Sequence, residues 1–368
     1  MSLPAELQRV AELARLRPRG WFNLLFNTAM AKARLVGPLR MPVHLTIEPT
    51  NACNLRCPVC ETGNGSMTRS KGMLDFDAYC GFIDRVAPTT ASLMFYFMGE
   101  PFLNRHAYEM IRHARRKGIY VETCTNGETV DPDGVIYSDV NDISFQIGGM
   151  SQATHEQYRV RGNLARLQAN LDALVQARRR SLESKVTISV GFIVMKHNEH
   201  EIPAFLNWAR EVGVDRANII DPCVRNVEEG KLLLPEDRRY WFYDEESFAK
   251  GVLKPRIVPV NECTWIWNSL TVNWDGSAVP CCRDPQGGHV FGNVFERPLP
   301  EIWNGPEITA FRRRIVTDQR NVDICRLCSG YGVPQLIHAG PVGFEINRLS
   351  LESSKPEAGD NPPYDIPN

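Results

Sequence analysis

Apolar positions along the chain follow two periods that take turns. Six short runs read as strands: VHLTIEP (43–49), SLMFYF (92–97), YVETCTN (120–126), DISFQIG (142–148), VTISVGFIV (186–194) and RANIID (216–221). They are rich in β-branched and aromatic residues. Between most of them lie stretches with apolar residues at helical spacing, such as 106–118, 163–180 and 201–213. Such alternation predicts an α/β fold with a parallel sheet and right-handed crossovers. Six strands would make a partial barrel or an open doubly wound sheet. Either arrangement puts the chemistry at the carboxyl ends of the strands.

The pattern divides the chain. Residues 1–41 read as helical and basic, through LPAELQRVAELARL and FNLLFNTAMAKARLVG. A helical lid packed on the main domain is the favoured reading, and a membrane-surface helix the lesser one, because GWFNLLF is apolar and flanked by basic residues. Residues 42–222 form the core. Residues 223–259 read as a charged, irregular linker, 260–332 as a second cysteine-bearing domain and 333–368 as a tail whose Pro-rich, acidic end predicts disorder. There is no internal repeat.

Composition narrows the class. The 368 residues are 43% hydrophobic and 23% charged, which is ordinary for a globular protein. The net charge of -1 gives no sign of bulk nucleic-acid binding. No apolar run reaches about 18 residues, so no transmembrane helix is expected. The N-terminus lacks the apolar core of a signal peptide, so a cytoplasmic location is the default. In a reducing compartment the eleven cysteines suggest metal ligation rather than disulfides.

Three of them, Cys53, Cys57 and Cys60, stand in NACNLRCPVC directly after the first strand. Three thiolates on a short loop can hold a cubane iron–sulfur cluster by three corners and leave one iron open. Zinc with a distant fourth ligand is the alternative; structural zinc sites are closed by four ligands, and an open position marks a reactive one.

This C-x3-C-x2-C loop resembles that of the radical S-adenosylmethionine (SAM) superfamily. The resemblance spans about 43–330 and rests on further stretches. MGEP (98–101) ends the second strand where the family has a Gly-Gly-Glu-Pro-like motif, here with Met98 for the first glycine. TNG (125–127) ends the third strand, and YRVRG (158–162) follows the fourth. The resemblance implies a partial (β/α)6 TIM-like barrel. It implies that SAM is the missing ligand, cleaved reductively to a 5′-deoxyadenosyl radical that abstracts hydrogen from substrate. Gly99, Glu100, Pro101, Thr125 and Asn126 become cofactor-binding candidates. Relatives often have Ser-x-Asp-Gly at the end of strand four; here Ser144 and Gln146 stand there, with an amide in place of the carboxylate, as candidate ribose contacts. Arg159 and Arg161 are candidates for the SAM carboxylate or for capping a helix. Asn198 is a candidate for adenine or for an N-cap.

A second set, Cys263, Cys281, Cys325 and Cys328, matches a fully ligated cubane, with a zinc-ribbon-like site as the alternative. The surrounding CTWIWNSLTVNWDGSAVPCC, EIWNG and CRLC resemble the SPASM extension of radical SAM enzymes. With no cysteine after Cys328, the shortened Twitch form is implied, with spacing similar to 2-deoxy-scyllo-inosamine dehydrogenase. The implied cofactors are two 4Fe–4S clusters and SAM. Cys281 completes the Gly-x4-Cys spacing, which leaves Cys282 over. Cys80 and Cys124 read as core residues.

Cys223, in DPCVR after strand six, is the catalytic candidate, a thiol that could return hydrogen to a substrate radical, with Asp221 and Arg225 as polar neighbours. The expected function is oxidation of a small polar substrate (a sugar, aminocyclitol or nucleoside), with the auxiliary cluster accepting the electron. The expected partner is an external one-electron reductant of flavodoxin or ferredoxin type. The alternatives are radical epimerisation, modification of a ribosomal peptide, modification of a lipid or isoprenoid, and a non-enzymatic iron–sulfur module. Only 41 residues precede the core, fewer than the winged-helix recognition domain of many peptide-modifying relatives needs.

Overall fold

A computed structural model describes residues 18–349 apart from 182, 339 and 342. The expectations for 1–17 and for the tail beyond 349 lie outside the described residues.

Helix α1 (Pro18–Lys32) leads to strand β1 (His44–Ile47). The core then runs α2 (Phe76–Val86), β2 (Ser92–Met94), α3 (Ala107–Arg116), β3 (Tyr120–Thr125), α4 (Pro132–Ser138), β4 (Asp142–Ile147), α5 (Gln152–Tyr158), α6 (Leu164–Arg180), β5 (Thr187–Ile193), α7 (Ile202–Val212) and β6 (Arg216–Ile220). Strands β1 to β6 pair in sequence order, all parallel. This is an α/β partial barrel, and its strands fall within a few residues of the predicted runs.

One face of the sheet carries Leu45, Leu93, Phe95, Val121, Ile143, Phe145, Val190, Phe192 and Ile219, all in one core cluster with Met110, Ile111 and Ala114 of α3 and Leu167, Leu171 and Leu174 of α6. Successive strand residues point to opposite faces. The inner face is therefore polar, with rows set by register: Thr46, Met94, Glu122 and Asp142 in one, Cys124, Ser144, Ser189 and Arg216 in the next, and Gln146, Gly191 and Asn218 in a third. Across the lower rows Arg216 pairs with Asp142 at 2.7 Å, and His338 with Glu122 at 3.0 Å.

Three expectations change. Residues 223–259 are no irregular linker: they hold helices Val227–Leu233 and Glu245–Ala249 and bury their own cluster of Val224, Leu234, Trp241, Phe242 and Tyr243. The aromatic run YWFY is too apolar to leave in water. The cysteine-bearing segment shares the main sheet. Its strand β7 (Ser269–Val272) pairs parallel with β1, and β8 (Ala278–Val279) pairs antiparallel with β7. At the opposite edge β9 (Glu345–Leu349), expected as tail, pairs parallel with β6. Among the described residues, no helix is long and apolar enough to cross a membrane.

Candidate active site

The loop after β1 carries Cys53, Cys57 and Cys60 into an apolar nest of Leu55, Val59, Tyr158 and Met195. Burial pushes the Cys53 thiol up to about 11 and raises Cys60 as well. Thiols held neutral in this way bind a cationic cluster with release of protons. N–H donors are already turned toward sulfur: Leu55 N at 3.4 Å and Asn126 Nδ2 at 3.9 Å from Cys53 Sγ, and Arg159 Nη1 at 3.7 Å from Cys57 Sγ. Such hydrogen bonds tune an iron–sulfur cluster. Among the described residues no three His, Cys, Asp or Glu side chains close around a single metal ion. Three thiols on one short loop, with N–H donors turned to their sulfurs, fit a three-cornered cubane.

The MGEP turn locks this loop to its neighbours. Gly99 has φ +78°, and a methyl there would press on the Thr50 carbonyl oxygen and come within 2.6 Å of Ala52 O. Glu100 N donates to Ala52 O at 2.8 Å. The Glu100 carboxylate is buried and accepts from Thr125 Oγ1 at 2.8 Å, Asn126 N at 2.8 Å and Phe102 N at 3.3 Å. Burial outweighs these bonds and pushes its carboxyl up to about 7. Pro101 opens a short 3-10 turn behind it. Asn126 Nδ2 continues the tie to Asn54 Oδ1 at 2.8 Å. Gly99, Glu100, Pro101, Thr125 and Asn126 thus meet beside the thiol loop, where SAM would be held.

On the inner face Gln146 Nε2 donates to Ser144 Oγ at 2.9 Å. Opposite, Gly191 makes the room, since a Cβ there would lie 2.6 Å from the Gln146 amide. Cys124 shares this row, beside Ser144. It is not a core residue: in YVETCT the alternation that buries Val121 and Thr123 turns Glu122 and Cys124 inward. Burial pushes its thiol up to about 12.

Arg159 follows α5, and its Nε is buried without a partner. Gly148 lies against its side chain, 2.9 Å from Cγ for a Cβ there. Asn198 does not present its amide to a ligand. It is fully buried, with Oδ1 accepting from Met195 N at 2.7 Å and Nδ2 donating to Gly148 O at 2.9 Å and Ile193 O at 3.0 Å. It makes no side-chain N-cap bond either; it positions Gly148, and Arg159 through it. Arg161 is exposed.

The second thiol set gathers under the rim. Cys263 opens the turn before β7, Cys281 follows β8, and Cys325 and Cys328 close a 3-10 turn, with Cys328 N bonded to Cys325 O at 3.1 Å. Burial pushes Cys263 up to about 11 and Cys325 up to about 12, and raises Cys281 and Cys328. Each of the last three is near enough to Cys263 or Cys328 for their charges to interact. Four half-buried thiols suit a closed cubane. Cys282 is exposed and reaches Tyr331 OH at 3.2 Å.

Cys223 sits between the two sets. Arg225 Nη1 lies 3.1 Å and Arg283 Nη1 3.4 Å from its sulfur. Arg225 is in turn paired with Glu61, the residue after Cys60, at 2.9 Å. Asp221 turns away, toward Arg348 of β9 at 3.5 Å. Arg283, Glu61 and Tyr331 belong to no motif; adjacency to the two cysteine sets was the available signal for the first two.

Residues 47–209 match the radical SAM superfamily and residues 263–329 the SPASM iron–sulfur cluster-binding domain. The chain is similar to an AdoMet-dependent heme synthase of Methanosarcina barkeri, 24% identical over 74% of this chain and 85% of that one. It is also similar to a PqqA peptide cyclase of Gluconobacter oxydans, 26% identical over 74% and 79%. In fold it resembles SuiB of Streptococcus suis bound to S-adenosylmethionine, with a TM-score of 0.59 at 13% identity over 86% and 79% of the two chains. It likewise resembles BtrN in complex with AdoMet and 2-DOIA, with a TM-score of 0.51 at 16% identity over 82% and 98%. The chain therefore joins a radical SAM domain to a SPASM domain, and is a radical SAM enzyme whose cofactors are S-adenosylmethionine and two iron–sulfur clusters.

Proposed function

We propose that the protein oxidises a small polar substrate, a sugar, aminocyclitol or nucleoside, on the polar inner face of the barrel between the two thiol sets. The observation that carries this is the contact of Arg283 with Cys223 at 3.4 Å. Arg283 lies two residues beyond Cys281, so the loop of the second set reaches the rim of the inner face. When bound, the cluster on Cys53, Cys57 and Cys60 with SAM supplies hydrogen-atom abstraction, and the cluster on Cys263, Cys281, Cys325 and Cys328 supplies an electron acceptor.

The chain's own residues supply placement. Gly99, Glu100, Pro101, Thr125 and Asn126 hold the SAM side of the site, with Arg159 above Cys57. Ser144 and Gln146 offer a hydroxyl and an amide to the ribose hydroxyls of SAM. Cys223 is surrounded by guanidinium groups, which only donate hydrogen bonds, so its sulfur is cast as an acceptor. Oxidation is preferred to epimerisation because the second thiol set offers an electron acceptor, which a redox-neutral epimerisation does not need. A reductant of flavodoxin or ferredoxin type belongs to the cycle. A second reading, peptide modification, draws on the likeness to PqqA peptide cyclase.

The test supplies the reconstituted enzyme, in deuterated water, with panels of aminocyclitols, sugars, nucleosides and short peptides. Oxidation predicts a polar product two hydrogens lighter, no carbon-bound deuterium, and near wild-type turnover in Cys223→Ala. One deuterium gained with inversion, and a stalled Cys223→Ala that still forms 5′-deoxyadenosine, would replace oxidation by epimerisation. Turnover with peptides alone would replace the substrate class.

A further inference from the structure

Helix α1 carries apolar residues on both of its faces. A surface helix normally buries its apolar stripe and shows water its polar one. Here the buried side includes Asn23 and Asn27. Asn27 clasps the backbone of Arg40 from both ends, Nδ2 to O at 2.9 Å and Oδ1 from N at 3.0 Å, and Asn23 Nδ2 donates to Met41 O at 3.2 Å. The helix is thus docked by these amides together with buried Leu24, and its outward face is left apolar. Phe22 is 52% exposed and Leu25 51%, and Leu35, just beyond the helix, is 54% exposed.

The rim of this face is cationic. Residues 18–42 contain Arg19, Lys32, Arg34 and Arg40 and no Asp or Glu. The Arg40 guanidinium lies 4.2 Å from the Phe22 ring centre and 5.3 Å from that of Phe26. Beside them opens a cavity of about 650 Å3 lined by Arg19, Phe22, Arg40 and Met41 among others. Aromatic and aliphatic side chains ringed by Lys and Arg are the composition of a helix that lies in a membrane interface.

We infer that this face docks on an anionic lipid bilayer, with α1 in the interface plane, Phe22 and Leu25 inserted, and Arg19, Lys32, Arg34 and Arg40 against lipid phosphates. Charge decides the occupant. A second copy would bring four cations against four. Residues 1–17 carry Arg9, Arg15 and Arg17 against Glu6 and Glu12, and so add positive charge to positive charge. An anionic leaflet is complementary. The orientation also suits. Helix α1 packs with Val43 and Ala91, at the amino ends of β1 and β2, away from the thiol loop at the carboxyl end. Docking would leave the mouth of the site open to water. The helix is packed on the main domain, and the face it leaves outward is apolar.

The test is co-sedimentation of the full chain with vesicles of phosphatidylcholine, with and without about one-third phosphatidylglycerol. Binding should require the anionic lipid and fall in high salt. Phe22→Ala/Leu25→Ala and Arg19→Gln/Lys32→Gln should each weaken it on the order of tenfold, with wild-type iron content reporting an intact fold. Equal sedimentation with both vesicles, none with either, or variants that bind like wild type would overturn the inference. So would a dimer, formed without vesicles and lost in Phe22→Ala/Leu25→Ala, which would assign the face to a second copy. An increase in vesicle binding on Leu7→Ser/Val10→Ser would assign it to residues 1–17 and overturn it too.

Discussion

Gly99→Ala tests whether the MGEP turn builds the first cluster site. Two costs can be separated. The backbone at φ +78° costs an L-residue about 1 kcal/mol. The new methyl would also meet backbone on the thiol loop: the Thr50 oxygen, Ala52 O at 2.6 Å and the Asn51 carbonyl carbon at 2.9 Å. Backbone cannot rotate aside as a side chain does, so residues 50–52 must retreat by several tenths of an ångström. They take with them the bond from Glu100 N to Ala52 O, and Cys53 is the next residue. Overpacking of this kind costs about 1–3 kcal/mol. The sum is about 2–4 kcal/mol, concentrated on the loop that bears the first thiol set. Gly251→Ala isolates the backbone cost, since Gly251 has φ +79° and nothing within 4 Å of an added Cβ. Anaerobic reconstitution should load about eight iron atoms per chain in wild type and in Gly251→Ala. In Gly99→Ala the figure should fall toward about four, with the second cluster retained. Its melting temperature should lie a few degrees below that of Gly251→Ala. Full iron in Gly99→Ala, with a melting temperature matching Gly251→Ala, would refute the close approach as the reason for glycine.

Two further outcomes follow from the inner face. Burial holds the imidazole of His44 at about 4, with Glu122 opposing and His338 reinforcing, while its Nδ1 bonds Ser92 Oγ at 2.7 Å. The folded state therefore resists a proton that the unfolded state accepts; stability is complete above about 6.5 and is lost as pH falls toward 4, by about 3 kcal/mol. In urea melts His44→Gln should lose that part of the pH slope, and an unchanged slope would contradict it. Gly191→Ala should push Gln146 off Ser144, weakening SAM binding measured by calorimetry while leaving the iron content intact; unaltered SAM affinity would remove Gln146 from the ribose contacts.

Much of the barrel was legible because its strands are apolar on the helix-covered face and its helices keep their period. The thiol loop and the MGEP and TNG turns were legible as local strings. What was hidden depended on partners far away in sequence. Strand β9 lies about 129 residues from Asn218, its neighbour, and its own alternation is weak, so nothing local marks it as a strand. Asn198 follows the end of a strand on the active side, but its amide is consumed by three backbone groups that only the folded chain brings together. Cys124 was misjudged for a different reason. A cysteine passes for a core residue anywhere in an apolar strand, and only the charge of Glu122, two positions earlier, tells which face is wet.

The rim follows the same logic. Glu61, Cys223, Arg225 and Arg283 come from three segments, with 164 residues between Glu61 and Arg225 and 60 between Cys223 and Arg283. Each end residue borders a cysteine set: Glu61 follows Cys60, and Arg283 stands two beyond Cys281. The chain Glu61–Arg225–Cys223–Arg283 is thus a polar seam from one thiol loop to the other, across the carboxyl ends of the strands. These polar contacts tie the two loops together. They put the loop of the second thiol set within one guanidinium's reach of the inner face.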